Sequence, residues 1–386
     1  MLTTKTTGER FAFTPRETNG ALGDLGTLLP LMLGAIVIGG LAPVPVLLGF
    51  ALFYIGTAVY YRLPIPVQPM KGVAAALLVT GMSPEAVAVS GVLIGLTLLV
   101  LGWTGWINRL ARLVPQSVLA GLQLGLGLAL ALMSLELMAS SPLIAGITLV
   151  LVLALLKSRR FPAVLIGLTV AMALAQWFNV PTLSLGSATA NAGLIAVPAL
   201  PSVAEVEQAV STFVLPQLSL TLTNAILLTA LVAGDYFGDK AAHVTPARLS
   251  VSSGLANLAL SPLGAFPMCH GAGGLAAHHQ FGARSGAAPL MLGIGLIAFA
   301  LLPGGLGITL LAAIPAAGLG ALLLIAAWQL AVTRRLFDGK PSCWPVIAVT
   351  AAVTVVVDPF WGLVLGGCSE VARKAIVSRL PRYRDV

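Results

Sequence analysis

The sequence predicts an all-α polytopic membrane protein of about 14 transmembrane spans, built as seven-plus-seven inverted repeats with two half-helices meeting at the midplane. Three observations predict it. Hydrophobic residues make up 58% of the 386 and charged residues 9%. Soluble domains carry about 25% charged residues, so a soluble fold of this size could not cover its surface. Apolar runs recur along the whole chain, parted by short breaks rich in Pro, Gly and charge. Two segments around Pro69 and Pro267, 198 residues apart, share one unusual pattern.

The first seven predicted spans lie near 18–38, 43–61, 68–80, 84–103, 117–138, 142–156 and 161–178. After the polar stretch from Val197 to Gln217, seven more lie near 217–234, 246–262, 269–281, 286–302, 309–333, 344–357 and 360–375. When the loops are assigned alternately to two sides, starting inside, 20 of the 21 basic residues fall inside, from Lys5 and Arg10 through Arg109, Lys157, Arg159, Arg160, Lys240 and Arg284 to Arg382 and Arg384. The outside loops hold Glu85, Glu136, Glu205, Glu207 and Asp358. This is the positive-inside bias, and a wrong span count would scramble it. Both termini are expected in the cytoplasm and the protein in the plasma (inner) membrane. Residues 1–16 show no apolar h-region or cleavage site, so no signal peptide is expected.

The net charge of +8 flanks the spans, so it anchors topology in the lipid bilayer and implies no nucleic-acid partner. Cys269, Cys343 and Cys368 form no C-x-x-C or Cys/His pattern, so no disulfide framework, metal or cofactor is expected. No H-E-x-x-H or G-x-S-x-G pattern appears, and no enzyme is expected.

"IPVQPMKGVAAALL" (Ile65 to Leu78) and "GAFPMCHGAGGLAA" (Gly264 to Ala277) both read Pro-Met, one or two residues, Gly, then small apolar residues. Seven spans is an odd number, so a second copy enters the membrane upside down, as in inverted-repeat transporters. The runs 68–80 and 269–281 would make roughly 20 Å of helix, against a hydrocarbon core of about 30 Å. Each reads as a half-helix starting near mid-membrane after an extended, Pro-containing lead-in. Irregular backbone at that depth survives where it is buried in protein or lines a polar cavity. The Pro is expected at the first helical position, and the helix N-termini offer N–H groups to an anion.

"NGALGDLGTLLPL" (Asn19 to Leu31), "PVQPMKGVAA" (Pro66 to Ala75) and "PMCHGAGGLAAHHQFGARSG" (Pro267 to Gly286) resemble the three signature blocks of the molybdate transporter family, which is related to the sulfate permeases. The resemblance implies a secondary active transporter that imports a tetrahedral oxyanion by alternating access, molybdate first. Sulfate or tungstate on the same fold, or an anion channel, are the alternatives. It also implies a core (transport) domain from 1–103 and 212–303 and a gate (scaffold) domain from 104–211 and 304–386. The soluble C-terminal domain of typical sulfate permeases is expected to be absent. Dimers occur in this fold, so a homodimer is open. The sequence departs from relatives that place a carboxylate in span 8: "LTLTNAILLTA" (Leu220 to Ala230) has none, and the acid is Asp24 in span 1.

The candidate substrate-binding residues are Gln68, Met70, Lys71, Thr223, Asn224, Met268, Cys269, His270 and Gly271. Gln68 has an amide that can donate to an oxyanion. Lys71 with two helix ends of about +0.5 each gives roughly +2, matching a dianion; the other role open to it is an ion pair with Asp24. Asp24 is assigned as counter-ion, with proton carriage as its second role, so a co-transported proton is an open partner. Cys269 and His270 are expected in the first turn of the second half-helix, contributing chiefly backbone N–H groups. His278, His279 and Arg284 read as interface residues near the cytoplasmic end.

Overall fold

A computed structural model describes residues 11–37, 39–80, 83–156, 161–180, 195–332, 334–337, 340–357 and 359–379. Of the residues that set the expected topology, Lys5, Arg10, Lys157, Arg159, Arg160, Asp358, Arg382 and Arg384 lie outside the described residues.

The first helices are α1 (Pro15–Gly23), α2 (Leu25–Val37) and α3 (Pro43–Tyr61). Thr14 caps α1 by accepting from the Glu17 amide, with Pro15 at the first helical position, the favoured place for a residue without an N–H. α1 and α2 are bent by 47° to each other, with Asp24 at the break. Then β1 (Gln68–Pro69) leads into α4 (Lys71–Thr80) and α5 (Pro84–Trp103). α6 (Trp106–Leu113), α7 (Gln116–Ala139), α8 (Pro142–Leu155) and α9 (Ala163–Trp177) follow.

The second half starts with α10 (Val203–Gln208), α11 (Leu215–Leu220) and α12 (Thr229–Phe237). Residues 209–214 and 221–228, on either side of α11, wind as π-helix. Next come α13 (Pro246–Leu260), β2 (Met268–Cys269), α14 (Ala272–Gln280), α15 (Ala287–Ala300) and α16 (Leu306–Ala312). The chain closes with α17 (Ala316–Ala331), α18 (Arg334–Phe337), α19 (Trp344–Val356) and α20 (Pro359–Arg379).

Among the described residues, α3, α5 and α7 are each long and apolar enough to cross a bilayer alone, and two bent pairs pass the same test together. Large apolar side chains face outward along these helices, including Leu52, Leu96, Leu128 and Leu132. A water-facing surface would not carry so much apolar area, whereas lipid requires it. The protein is an integral, multi-pass membrane protein.

At its centre β1 pairs antiparallel with β2, Gln68 opposite Cys269 and Pro69 opposite Met268. The Met70 amide donates to the Pro267 carbonyl at 3.0 Å. α4 and α14 leave this ribbon, so the chain enters them travelling in opposite senses. The helices therefore start later than the sequence predicts, at Lys71 and Ala272 rather than at Gln68 and Cys269. Pro69 and Pro267 lie in or beside the ribbon, not at first helical positions. The reason is that Pro removes a donor and disfavours a helical predecessor, while pairing across the ribbon satisfies buried main-chain groups that would otherwise lie bare.

α5 packs on α13, α3 on α15, and α7 on α17 and α19. α5 and α13 cross where Gly95 meets Gly254: a Cβ on Gly254 would lie 2.8 Å from the Gly95 carbonyl oxygen. Small residues at such crossings let helices approach closely, the main source of packing energy in lipid.

Candidate functional site

Between the ribbon, α4, α11 and the π-helical stretch after it lies a cavity of about 200 Å³. Gln68, Lys71, Gln217, Asn224, Cys269 and His270 supply its polar wall. Leu126, Leu130 and Met133 of α7, with Thr354 and Pro359, supply the opposite wall.

The ribbon is held from behind. Asn257 on α13 donates to the Met268 carbonyl at 2.6 Å and accepts from the Met268 amide at 2.9 Å. His270 is held on both ring nitrogens. Its Nδ1 lies 2.9 Å from the Pro66 carbonyl, which can only accept, so Nδ1 carries the proton. Its Nε2 then accepts from the Ser252 hydroxyl at 2.8 Å. This clamp ties the residue just after β2 to the lead-in of β1.

Gln68 faces Asp24. Its Nε2 donates to Asp24 Oδ1 at 2.7 Å and to Thr27 Oγ1 at 2.6 Å. Thr27 also donates to Asp24 Oδ1, and the Tyr54 hydroxyl donates to Oδ2 at 3.4 Å. Space for this cluster comes from α14: a Cβ on Gly271 would lie 2.0 Å from Gln68 Oε1, and one on Gly274 would lie 2.6 Å from Asp24 Oδ2. Among the described residues the ion pairs are those of Glu370 with Arg373 and Lys374. Lys71 and Asp24 therefore do not pair directly. Lys71 is half-buried at the start of α4, on the cavity wall.

Gln217, not singled out in the sequence, caps α4. Its Oε1 accepts from the Gly72 amide at 2.7 Å and the Val73 amide at 3.4 Å, and its Nε2 donates to Thr221 Oγ1 at 2.8 Å. A side-chain oxygen thus already sits on the N–H groups expected to meet an anion. Asn224, further along the same face, has a buried Oδ1 with no hydrogen-bond partner.

The structure thus brings Gln68, Lys71, Asn224, Cys269 and His270 onto one cavity. Gly271 packs behind Gln68. Met70 and Met268 are fully buried core side chains, and Thr223 is buried with its hydroxyl bonded back to the Leu220 carbonyl. None of these three lines the cavity. Cys269 and His270 sit in the ribbon and just after it, not in a first helical turn. His278, read as an interface residue, is fully buried; His279 is half-buried and stacks on Tyr236 at 4.1 Å between centroids. Arg284 is exposed. The spacing of Gln217, Thr221 and Asn224 at i, i+4 and i+7 puts three polar groups on one face of the predicted span, and that signal could have found Gln217.

The family described as "Molybdate transporter of MFS superfamily" matches residues 16–130 and 209–330. The chain belongs to this molybdate transporter family. Membership makes it a transporter and not an enzyme. Among relatives of the family, Molybdate transporter 2 of Arabidopsis thaliana is 28% identical over 396 residues, covering 88% of this chain and 82% of that protein. Molybdate transporter 1 of Chlamydomonas reinhardtii is 40% identical over 148 residues, 37% of this chain. Among solved structures, this family member resembles the transmembrane domain of the cyanobacterial bicarbonate transporter BicA, with a TM-score of 0.58 at 15% identity over 90% of this chain and 97% of that one. It also resembles SLC26A9, with a TM-score of 0.61 at 14% identity over 94% of this chain and 65% of that one. At these identities the likeness is one of fold, an all-α membrane fold.

Proposed function

We propose that the protein imports a tetrahedral oxyanion, molybdate in first place, by alternating access between a core domain (1–103 and 212–303) and a gate domain (104–211 and 304–386). The observation that carries this reading is the cavity. It lies where two helices start, it holds the Lys71 ammonium on its wall, and Gln217 already presents an oxygen to the first amides of α4. A water takes about 30 Å³ of liquid, so about 200 Å³ suits a small hydrated anion. Lys71 and two helix ends of about +0.5 each balance a dianion. The relatives named as molybdate transporters put molybdate ahead of sulfate and tungstate.

The polar wall belongs to the core and the α7 wall to the gate, so movement of one against the other would open the cavity to each side in turn. The paired packing of α5 on α13 and α3 on α15 supports inverted repeats of seven spans each. The charge bias supports cytoplasmic termini in the plasma membrane.

Titration of the purified protein with molybdate, in competition with sulfate, tungstate and uracil, tests this. Saturable molybdate binding displaced by tungstate is expected. Displacement by uracil alone, or no saturable oxyanion binding, would overturn it. In proteoliposomes molybdate should accumulate against its gradient, which a channel cannot do.

A further inference from the structure

The core holds a second titratable group that the cavity does not use. His278 on α14 is fully buried. Its Nδ1 lies 2.7 Å from the Gly20 carbonyl, which can only accept, so Nδ1 carries the proton and Nε2 presents a lone pair. That Nε2 is buried and has no hydrogen-bond partner. Leaving a buried polar atom unpaired costs about 1–3 kcal/mol, so its place in a family member with so few charges calls for a reason.

The surroundings supply one. His278 stands one turn after Gly274, whose missing side chain makes room for Asp24. Tyr54 spans the two groups, its hydroxyl 3.4 Å from Asp24 Oδ2 and its ring edge-on to the imidazole, 6.5 Å between centroids. The titratable groups on the elements around His278 are Arg16, Glu17 and Asp24 on or at the end of α1, Tyr54, Tyr60 and Tyr61 on α3, and Asp235 and Tyr236 on α12. α17 carries none, and α7 carries Glu136 near its far end. On and just after its own helix are His279 and Arg284. Of all these, Asp24 is the one that Tyr54 links to the imidazole.

We propose that His278 and Asp24, joined through Tyr54, form the proton-carrying pair of the transport domain. The pair sits behind Gln68, on the far side from the anion cavity. This rests on the oxyanion-transport reading and names the groups that would couple it to a proton. In the uptake step the Nε2 lone pair takes a proton from hydronium, so that an O–H bond breaks, a water is left behind and a new N–H bond forms. The imidazole goes from neutral to +1, and the pair goes from −1 to neutral with Asp24 ionised. Together with Lys71, the region then moves one charge toward the positive as the anion arrives, and Gln68 links the carboxylate to the cavity wall. When the anion leaves, Nε2 returns its proton to water on the other side.

His278→Gln tests the pair, because a Gln amide can still donate to the Gly20 carbonyl. The wild-type and variant proteins go into liposomes of phosphatidylethanolamine and phosphatidylglycerol loaded with a pH-sensitive dye. In the wild type, molybdate uptake should rise several-fold as outside pH falls across the imidazole range, about pH 8 to 5, with proton influx alongside. In His278→Gln, molybdate affinity of the purified protein should stay within about threefold, a shift under 1 kcal/mol, while the rise with acid and the proton influx are lost. Asp24→Asn should flatten the same profile. A wild-type pH profile and proton influx in His278→Gln would reduce His278 to a packing residue and overturn the pair. Should that variant fail to fold, calorimetry of the wild type decides: molybdate binding in buffers of different ionisation enthalpy should take up protons, and binding linked to none overturns the proposal. Absence of any molybdate binding by the wild type is a different result, and removes the transport reading beneath it.

Discussion

At the scale of single residues, the cavity separates groups that hold the architecture from groups free to meet a ligand. His270 is bonded through both nitrogens, and Gln68 spends its donors on Asp24 and Thr27. Lys71 is the cation on the wall without an ion-pair partner among the described residues. A hydrogen bond to a charged group contributes about 1.5–3 kcal/mol, so Lys71→Ala should weaken molybdate binding roughly ten- to hundredfold, read by titration of folded protein; unchanged affinity would remove Lys71 from the site. Gln217 permits a sharper test. Its neutral oxygen rests on two amides of α4, and Gln217→Glu would put a carboxylate there, beside Lys71. That variant should lose binding by more than about tenfold, over 1.4 kcal/mol, while Gln217→Ala keeps affinity nearer the wild type. Equal losses in both would make Gln217 purely a helix cap. Asp24 and Lys71 stood out in the sequence because charge is rare in a membrane span. Gln217 did not, since its role depends on an amide at Gly72 that lies 145 residues away in the chain.

Among the elements, the doubled Pro-Met pattern made both short helices, α4 and α14, legible. Their starting points were not. Where each helix begins depends on the pairing of Gln68 with Cys269, a contact between distant parts of the chain that local propensity does not report. The two π-helical stretches around α11 were equally hidden, since wide turns leave no fixed composition; such turns often mark functional positions. α14 depends on small residues to nest against the ribbon. Gly274→Ala would set a methyl 2.6 Å from Asp24 Oδ2 and from Gln68 Nε2, and overpacking of this kind costs about 1–3 kcal/mol. Its melting temperature and molybdate uptake should both fall. Gly56→Ala, with nothing within 4 Å of the added atom, should leave both unchanged. Equal behaviour of the two would contradict the packing described here.

For the whole molecule, composition settled the class at once, because 9% charge cannot clothe a soluble protein. The swapped pairing of α3 with α15 and α5 with α13 could not be read, since hydropathy orders spans along the chain but says nothing of which ones touch. Orientation remains testable through the charge bias. In a chain with Cys343 and Cys368 changed to Ser, Glu207→Cys should react with a membrane-impermeant maleimide on intact cells, and Lys240→Cys only after permeabilisation; the reverse would invert the topology. The central ribbon bears on how such a chain comes to be made. Gln68 and Pro69 leave the ribosome long before Met268 and Cys269 exist to match them. The early half must wait in the lipid with its middle unfinished, and synthesis of the late half closes the seam. Expressed by itself, the early half would be a target for quality-control proteases, and supplying the missing half as a separate chain should rescue it.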